Sequence, residues 1–205
     1  ADIARKGSDR TVVLVWNGLK VIDWHIGGKL LTTQSKRIIQ DFAKRYKIPM
    51  SGVLADEDGV GGGVVDELGC KGFVNGSRAL NGENYANLKT QCAYIMSEQV
   101  NTGQVYWELK QRGEELEEQA IDELSVFRRA KIDDDRKLYI NSKKEQKEAL
   151  KDTDNAPSSP DIGDAFVMRG YFIATDGNDV SDRMVNPPKT KETRRKHAPP
   201  IQPKA

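Results

Sequence analysis

The stretch "VLADEDGVGGGVVDEL", residues 53–68, decides how the chain is read. It runs from an apolar strand through three acids and four glycines into the start of a helix. Glycines between a strand and a helix usually cradle phosphate, but the phosphate motifs fail here. A Walker loop needs a lysine and a hydroxyl after its last glycine, and Val64, Val65 and Asp66 follow Gly63. The other Gly-Gly-Lys, Gly27–Lys29, is followed by Leu30. The dinucleotide fingerprint requires a glycine at its sixth position; from Gly59 that position is Val64, and from Gly61 it is Asp66. Asp56, Glu57 and Asp58 would also stand where a phosphate must sit. The glycines therefore read as a tight turn that brings backbone close to something. The acids then lie at the end of a parallel strand, where open α/β sheets keep their sites.

Working outward, "TVVLVW" (11–16) is a continuous apolar run, as a central strand requires, and "VIDWHI" (21–26) alternates as a half-buried strand does. Ile38, Ile39, Phe42 and Tyr46 share one face of a helix from Thr33, which Pro49 closes. "GFVNG" (72–76) reads as a short strand. Helices are expected over 84–100, 114–124 and 143–151, and a last apolar helix over 161–174. "SVFRRAKIDDDRKLYIN" reads as a β-hairpin turning at "DDDR". A strand meander followed by helix-separated parallel strands predicts an α/β fold: a mixed sheet with helices on both faces.

The bulk numbers bound the function. The chain of 205 residues carries 31% charged and 37% apolar residues, with a net charge of +1. Six basic residues against one acid lie between Pro187 and Ala205, so the remainder carries −4. Such a body grips nucleic acid only through local basic patches or through bound cations. No apolar run approaches the roughly 18 residues of a membrane span, and no signal peptide is visible. Cys70 and Cys92 are too few for a cysteine-rich zinc site and read as reduced thiols. Beyond Thr175 the chain is polar and Pro-rich and is expected to be disordered. The start at Ala1, directly in a strand, suggests a domain cut from a longer protein.

The acids then fall into a pattern. Asp2 lies in a first strand and Asp56 at the end of a later one. Asp161 and Asp164, in "SSPDIGDAF", occupy the first turn of the last helix, with Ser159 as N-cap and Pro160 at the first helical position. If the first and fourth strands are neighbours, Asp2 and Asp56 stand side by side, and a helix crossing the sheet delivers Asp161 to them. Carboxylates so placed repel unless a cation sits among them. Hard oxygen ligands select Mg²⁺ or Mn²⁺, and two such ions roughly 4 Å apart serve phosphodiester displacement. Each acid also has a plain reading: helix-dipole partner for Asp161 and Asp164, turn residue for Asp56, Glu57 and Asp58, cap or frayed end for Asp2.

Four segments in order, "DIARKGSDRTVV", "ADEDGVGGGVVDEL", "NYANLKTQCAYIM" and "SKKEQKEAL…SPDIGDAFVM", resemble the C-terminal nuclease domain of the phage terminase large subunit, the DNA-packaging motor protein. The resemblance covers most of residues 1–174. It implies a ribonuclease-H-like sheet of about five main strands, and a two-metal endonuclease that cuts concatemeric viral DNA in the host cytoplasm. The implied cofactors are two Mg²⁺ or Mn²⁺ ions. The implied partners are double-stranded DNA, a preceding ATPase domain, the portal and the small terminase subunit. Carried over residue by residue, Asp2, Asp56 and Asp161 resemble the three metal ligands. Asp164 stands close enough to join them, and Asp58 is the rival to Asp56. Lys143, in "SKKE", matches a lysine placed before the last acids and aimed at the scissile phosphate; Lys144 beside it, and Arg128, Arg129, Lys131 and Lys137 of the hairpin, are candidate DNA contacts. Residues 175–205 form a basic tail with electrostatic or partner-binding potential. A junction resolvase and a non-catalytic DNA or portal dock are the alternatives.

Overall fold

The computed structural model describes residues 1–4, 9–107, 114–130, 137–153 and 157–175. The expected turn at Asp133–Arg136, Lys131, and residues 176–205 of the tail lie outside them. β1 (Arg10–Asn17) and β2 (Lys20–Gly28) form an antiparallel hairpin around Gly18, which takes a φ of 60° that favours glycine. α1 (Thr32–Arg45) follows, then β3 (Leu54–Asp56), α2 (Gly61–Leu68), β4 (Lys71–Phe73) and α3 (Leu88–Asn101). The chain continues through β5 (Tyr106–Trp107), α4 (Glu114–Ser125), α5 (Lys143–Leu150), α6 (Asp161–Val167) and α7 (Arg169–Thr175).

Among the described residues the strands do not make one ladder of five. β1, β2 and β5 form a three-stranded sheet in the order β1-β2-β5, and β3 pairs in parallel with β4 in a second. The first residues of the chain join the two. Asp2 exchanges both backbone hydrogen bonds with Val12, at 2.8 and 2.9 Å, and so lies antiparallel to β1. Ala1 donates to Leu54 O (2.6 Å) and accepts from Asp56 N (2.9 Å), the pattern of a parallel neighbour. Among the described residues, one or two make each link.

Alternation along the strands sorts the core into layers. Ile3, Val13 and Ala55 point to one face and pack with Ile39 of α1 and Val64, Val65 and Leu68 of α2. Val12 and Leu54 point to the other. There, Leu54 and Phe73 meet Leu88 and Cys92 of α3 together with Val167 and Met168, while Val12 meets Ala120 of α4 and Ile162 and Ala165 of α6. Helices therefore cover both faces, as the pattern predicts.

Three sequence expectations need correction. The 84–100 helix starts at Leu88, because the Asn87 side chain accepts from Thr90 N (2.8 Å) and caps it. The last helix is two, α6 and α7, broken at Met168: α6 packs on β1 and α4, while α7 is drawn against α3, where a Cβ on Gly170 would lie 2.7 Å from Cys92 O. Pro160, not Ser159, is the N-cap of α6, and it supplies no capping side chain. Among the described residues the arms of the expected hairpin meet antiparallel at Arg129 and Ile140, with Ala130 N donating to Tyr139 O and Asn141 N to Arg128 O.

The candidate active site

Side-chain parity brings the acids together. Asp56 shares the face of Leu54, and Asp2, opposite in parity to Ile3, points the same way, toward α3 and α6. Because Ala1 sits against Asp56, Asp2 and Asp56 come from adjacent segments. α6 runs across that face, and its first turn carries Asp161 and Asp164. These four aspartates line one open cleft of about 480 Å³. Asp9, Asn75, Asn87, Lys89, Ser142 and Lys143 are among the other residues that line it.

The glycines of the opening stretch explain the turn. A Cβ on Gly61 would lie 1.7 Å from Asp56 O, so α2 can start against the end of β3 only with glycine there. Gly59, at a φ of 68°, reverses the chain before it. The turn follows directly on Asp56, which lines the cleft.

Asp161, Asp164 and Asp56 are each engaged by protein partners. Asp161 Oδ2 accepts from the backbone N of Arg10 (2.9 Å) and from its Nε (3.4 Å). Arg10 Nη2 reaches on to Glu123 Oε1 at 2.5 Å. Asp164 sits between two ammonium groups, Lys143 at Oδ2 and Lys89 2.7 Å from Oδ1; the Lys89 approach is an ion pair off the hydrogen-bonding direction. Asp56 Oδ1 accepts from Asp58 N (3.1 Å) and Asn75 Nδ2 (3.3 Å). Asp58 is tied to the same amide: its Oδ2 accepts from both the backbone and side chain of Asn75, at 3.0 and 2.8 Å.

The balance of charge is still negative. Burial pushes Asp2 well above the usual carboxylate range, with Asp164, Asp161 and Asp56 pushing the same way and Lys143 opposing. Burial raises Asp56, helped by the charges of Asp58 and Asp164 and opposed by Lys89. Burial raises Asp161 as well, against the pull of Arg10 and Lys143. Burial works against the ammonium of Lys143, but Asp164, Asp2 and Asp161 outweigh it and hold the group above its ordinary value.

The donor set is all oxygen and short of positive charge, which suits a hard divalent cation. Yet among the described residues no three such side chains close on a common point. Asp161 is held by Arg10, Asp164 by its lysines and Asp56 by Asn75. The set fits a divalent ion in chemistry.

Of the basic candidates, Lys143 lines the cleft. Lys144 is exposed beside it. Arg128 and Arg129 are exposed and line a separate apolar groove between α3 and α4 with Tyr94 and Ile121. Sequence reasoning missed Arg10, Asn75, Lys89 and Glu123. A signal existed for Lys89, which stands in the first turn of its helix, where the dipole disfavours a cation; Lys143 stands likewise in α5. A lysine so placed calls for a carboxylate partner, and both share Asp164.

No family model and no curated protein matches the sequence. Solved structures do match the fold. The nuclease domain of the large terminase subunit of bacterial virus Sf6 aligns with a TM-score of 0.69 at 19% identity, over 82% of this chain and 85% of that one. A mutant of that domain with manganese and β-thujaplicinol aligns at 0.70 and 18% identity, over the same shares. The mutant with calcium aligns at 0.67 and 18%, again over 82% and 85%. Among the described residues, no helix is long and apolar enough to cross a membrane. The chain thus folds as the nuclease domain of a viral large terminase subunit does.

Proposed function

We propose that this chain is a divalent-metal-dependent endonuclease domain of the ribonuclease-H-like kind, cutting double-stranded viral DNA during genome packaging in the host cytoplasm. The observation that carries the reading is the meeting of Asp2, Asp56, Asp161 and Asp164, from a sheet and a crossing helix, in one cleft with too little positive charge. The fold likeness to a viral nuclease domain supports it, as do the manganese and calcium of those structures.

In this reading Asp2, Asp56 and Asp161 hold two Mg²⁺ or Mn²⁺ ions, and Asp164 joins them. When bound, such ions supply activation of the attacking water and stabilisation of the leaving oxygen. The chain's own residues do the rest. Lys143 and Lys89 exchange Asp164 for the DNA phosphate, placing positive charge where negative charge develops. Lys144, exposed beside Lys143, extends the phosphate path. Arg128 and Arg129 meet DNA or a partner away from the chemistry. The ATPase domain, portal and small subunit are the partners proposed for the longer protein.

A non-catalytic dock would need the acids only as structure. Calorimetric titration with Mn²⁺ separates the two: the nuclease reading expects two ions bound in wild type and fewer in Asp2→Asn and Asp161→Asn. A wild-type protein that binds no Mn²⁺ leaves the dock as the better reading.

A further inference from the structure

Glu123 is a fully buried carboxylate at 0% exposure, on the last turn of α4, outside the acidic cleft. Burying a charge is costly unless it is paired and hydrogen-bonded. Its partners define what it does. Oε1 takes the Arg10 guanidinium at 2.5 Å, and Oε2 accepts from the first free amides of α6, Ile162 N at 2.6 Å and Gly163 N at 3.2 Å. α6 has no capping side chain of its own, since its N-cap is Pro160. Glu123 therefore caps α6 from another helix, and a carboxylate there is favoured by the positive end of the helix dipole.

Arg10 carries the link to the cleft. Its backbone N and its Nε address the same oxygen of Asp161, while its Nη2 holds Glu123. A planar guanidinium can serve two carboxylates at fixed angles; an ammonium cannot. The packing around the pair leaves no slack. A Cβ on Gly163 would lie 3.2 Å from Glu123 O and 2.5 Å from the Phe127 ring, so α4 and α6 meet at glycine distance.

We infer that Arg10 and Glu123 are a positioning pair that sets the rotation of the Asp161 carboxylate and the approach of α6, and so tunes cation affinity and turnover at the cleft. This rests on the nuclease reading above. Neither residue touches substrate; both act through Asp161 and through the helix that also carries Asp164. Partners behind metal ligands typically change affinity or activity by about 10- to 100-fold when altered.

The test uses the full chain with Arg10→Lys and Glu123→Gln. Arg10→Lys keeps the charge and the backbone donor but loses the fork. Glu123→Gln keeps the shape but turns an amide donor toward either Arg10 or the α6 amides. Three quantities are read: Mn²⁺ affinity by calorimetry, kcat and KM on plasmid DNA, and hydrogen exchange at Ile162 and Gly163. The expected result is Mn²⁺ affinity and kcat both about ten-fold lower in each variant, with KM for DNA near wild type. Exchange at Ile162 and Gly163 should quicken in Glu123→Gln. A merely structural pair would lower the melting temperature and leave the Mn²⁺ affinity and kcat unmoved, and that result overturns the inference. If one variant fails to fold, the other carries the same comparison. A wild-type chain that neither binds Mn²⁺ nor cuts overturns the nuclease reading and this inference together; a wild type that does both, matched by its variants, overturns this inference alone.

Discussion

Alanine at Gly61 should damage the fold, and alanine two residues later should improve it. The Gly61 Cβ would lie 1.7 Å from Asp56 O, against backbone that cannot rotate away. Restoring an ordinary contact means opening the β3–α2 junction by roughly 1.5 Å or more. That strain moves Asp56 itself and the helix that packs Val64, Val65 and Leu68 into the core. Overpacking of this kind costs about 3 kcal/mol, the upper part of its usual range. The helical preference for alanine over glycine returns about 1 kcal/mol, which leaves a net loss of about 2 kcal/mol. For a domain of this size that lowers Tm by about 4–8 °C. The neighbours are internal controls. A Gly62 Cβ meets Glu57 O at 3.3 Å, so Gly62→Ala should fall close to neutral; a Gly63 Cβ meets nothing within 4 Å, so Gly63→Ala should gain up to about 1 kcal/mol. Differential scanning calorimetry in EDTA reads all three. Gly61→Ala melting at or above Gly63→Ala would refute the close approach, and with it the account of why this stretch is glycine-rich.

In EDTA the raised carboxyls should make the protein lose stability as pH rises through the acid range. Asp2, Asp56 and Asp161 keep protons in the folded state at pH values where the unfolded chain has released them, so their penalty is absent below the unfolded pKa and complete above the folded one. Asp2→Asn should flatten that slope relative to wild type in urea melts between pH 4 and 7; parallel slopes would count against the crowding of charge. Asp56→Ala should abolish cutting, whereas Asp58→Ala, whose carboxylate is spent on Asn75, should only reduce it; the reverse order would misplace the strand end. Lys143→Ala should lower the cutting rate more than DNA affinity, since its charge acts mainly where charge develops, and equal losses would make it an ordinary backbone contact. Deleting residues 187–205 should weaken DNA binding at low salt and flatten its salt dependence, because six basic residues leave with it; an unchanged slope would exclude the tail from the DNA.

The parts of the fold that could be read from sequence are those governed by local periodicity. The apolar run of β1, the stripe of α1 and the strand–acid–glycine–helix order around Asp56 each announce themselves within a dozen residues. β5 could not be read, because two residues carry no alternation. The break at Met168 was hidden as well: Phe166 to Phe172 look continuous, and the close approach of Gly170 to Cys92, on a helix distant in the chain, leaves no local mark. The acids were visible as strand-end and helix-start residues, and the structure gathers them. Their governors were not. Arg10 lies 113 residues from Glu123 and 151 from Asp161 in the chain, so nothing local marks the link. Lys89 was the exception that could have been found, as a cation set against its own helix dipole.

The central claim, divalent-metal cutting of DNA at the aspartate cleft, is tested most directly by plasmid digestion. Supercoiled DNA incubated with the chain should be nicked or linearised with Mn²⁺ or Mg²⁺, remain intact in EDTA, and remain intact with Asp161→Asn in any metal. Undiminished cutting in EDTA, or by Asp161→Asn in Mn²⁺, would contradict the account.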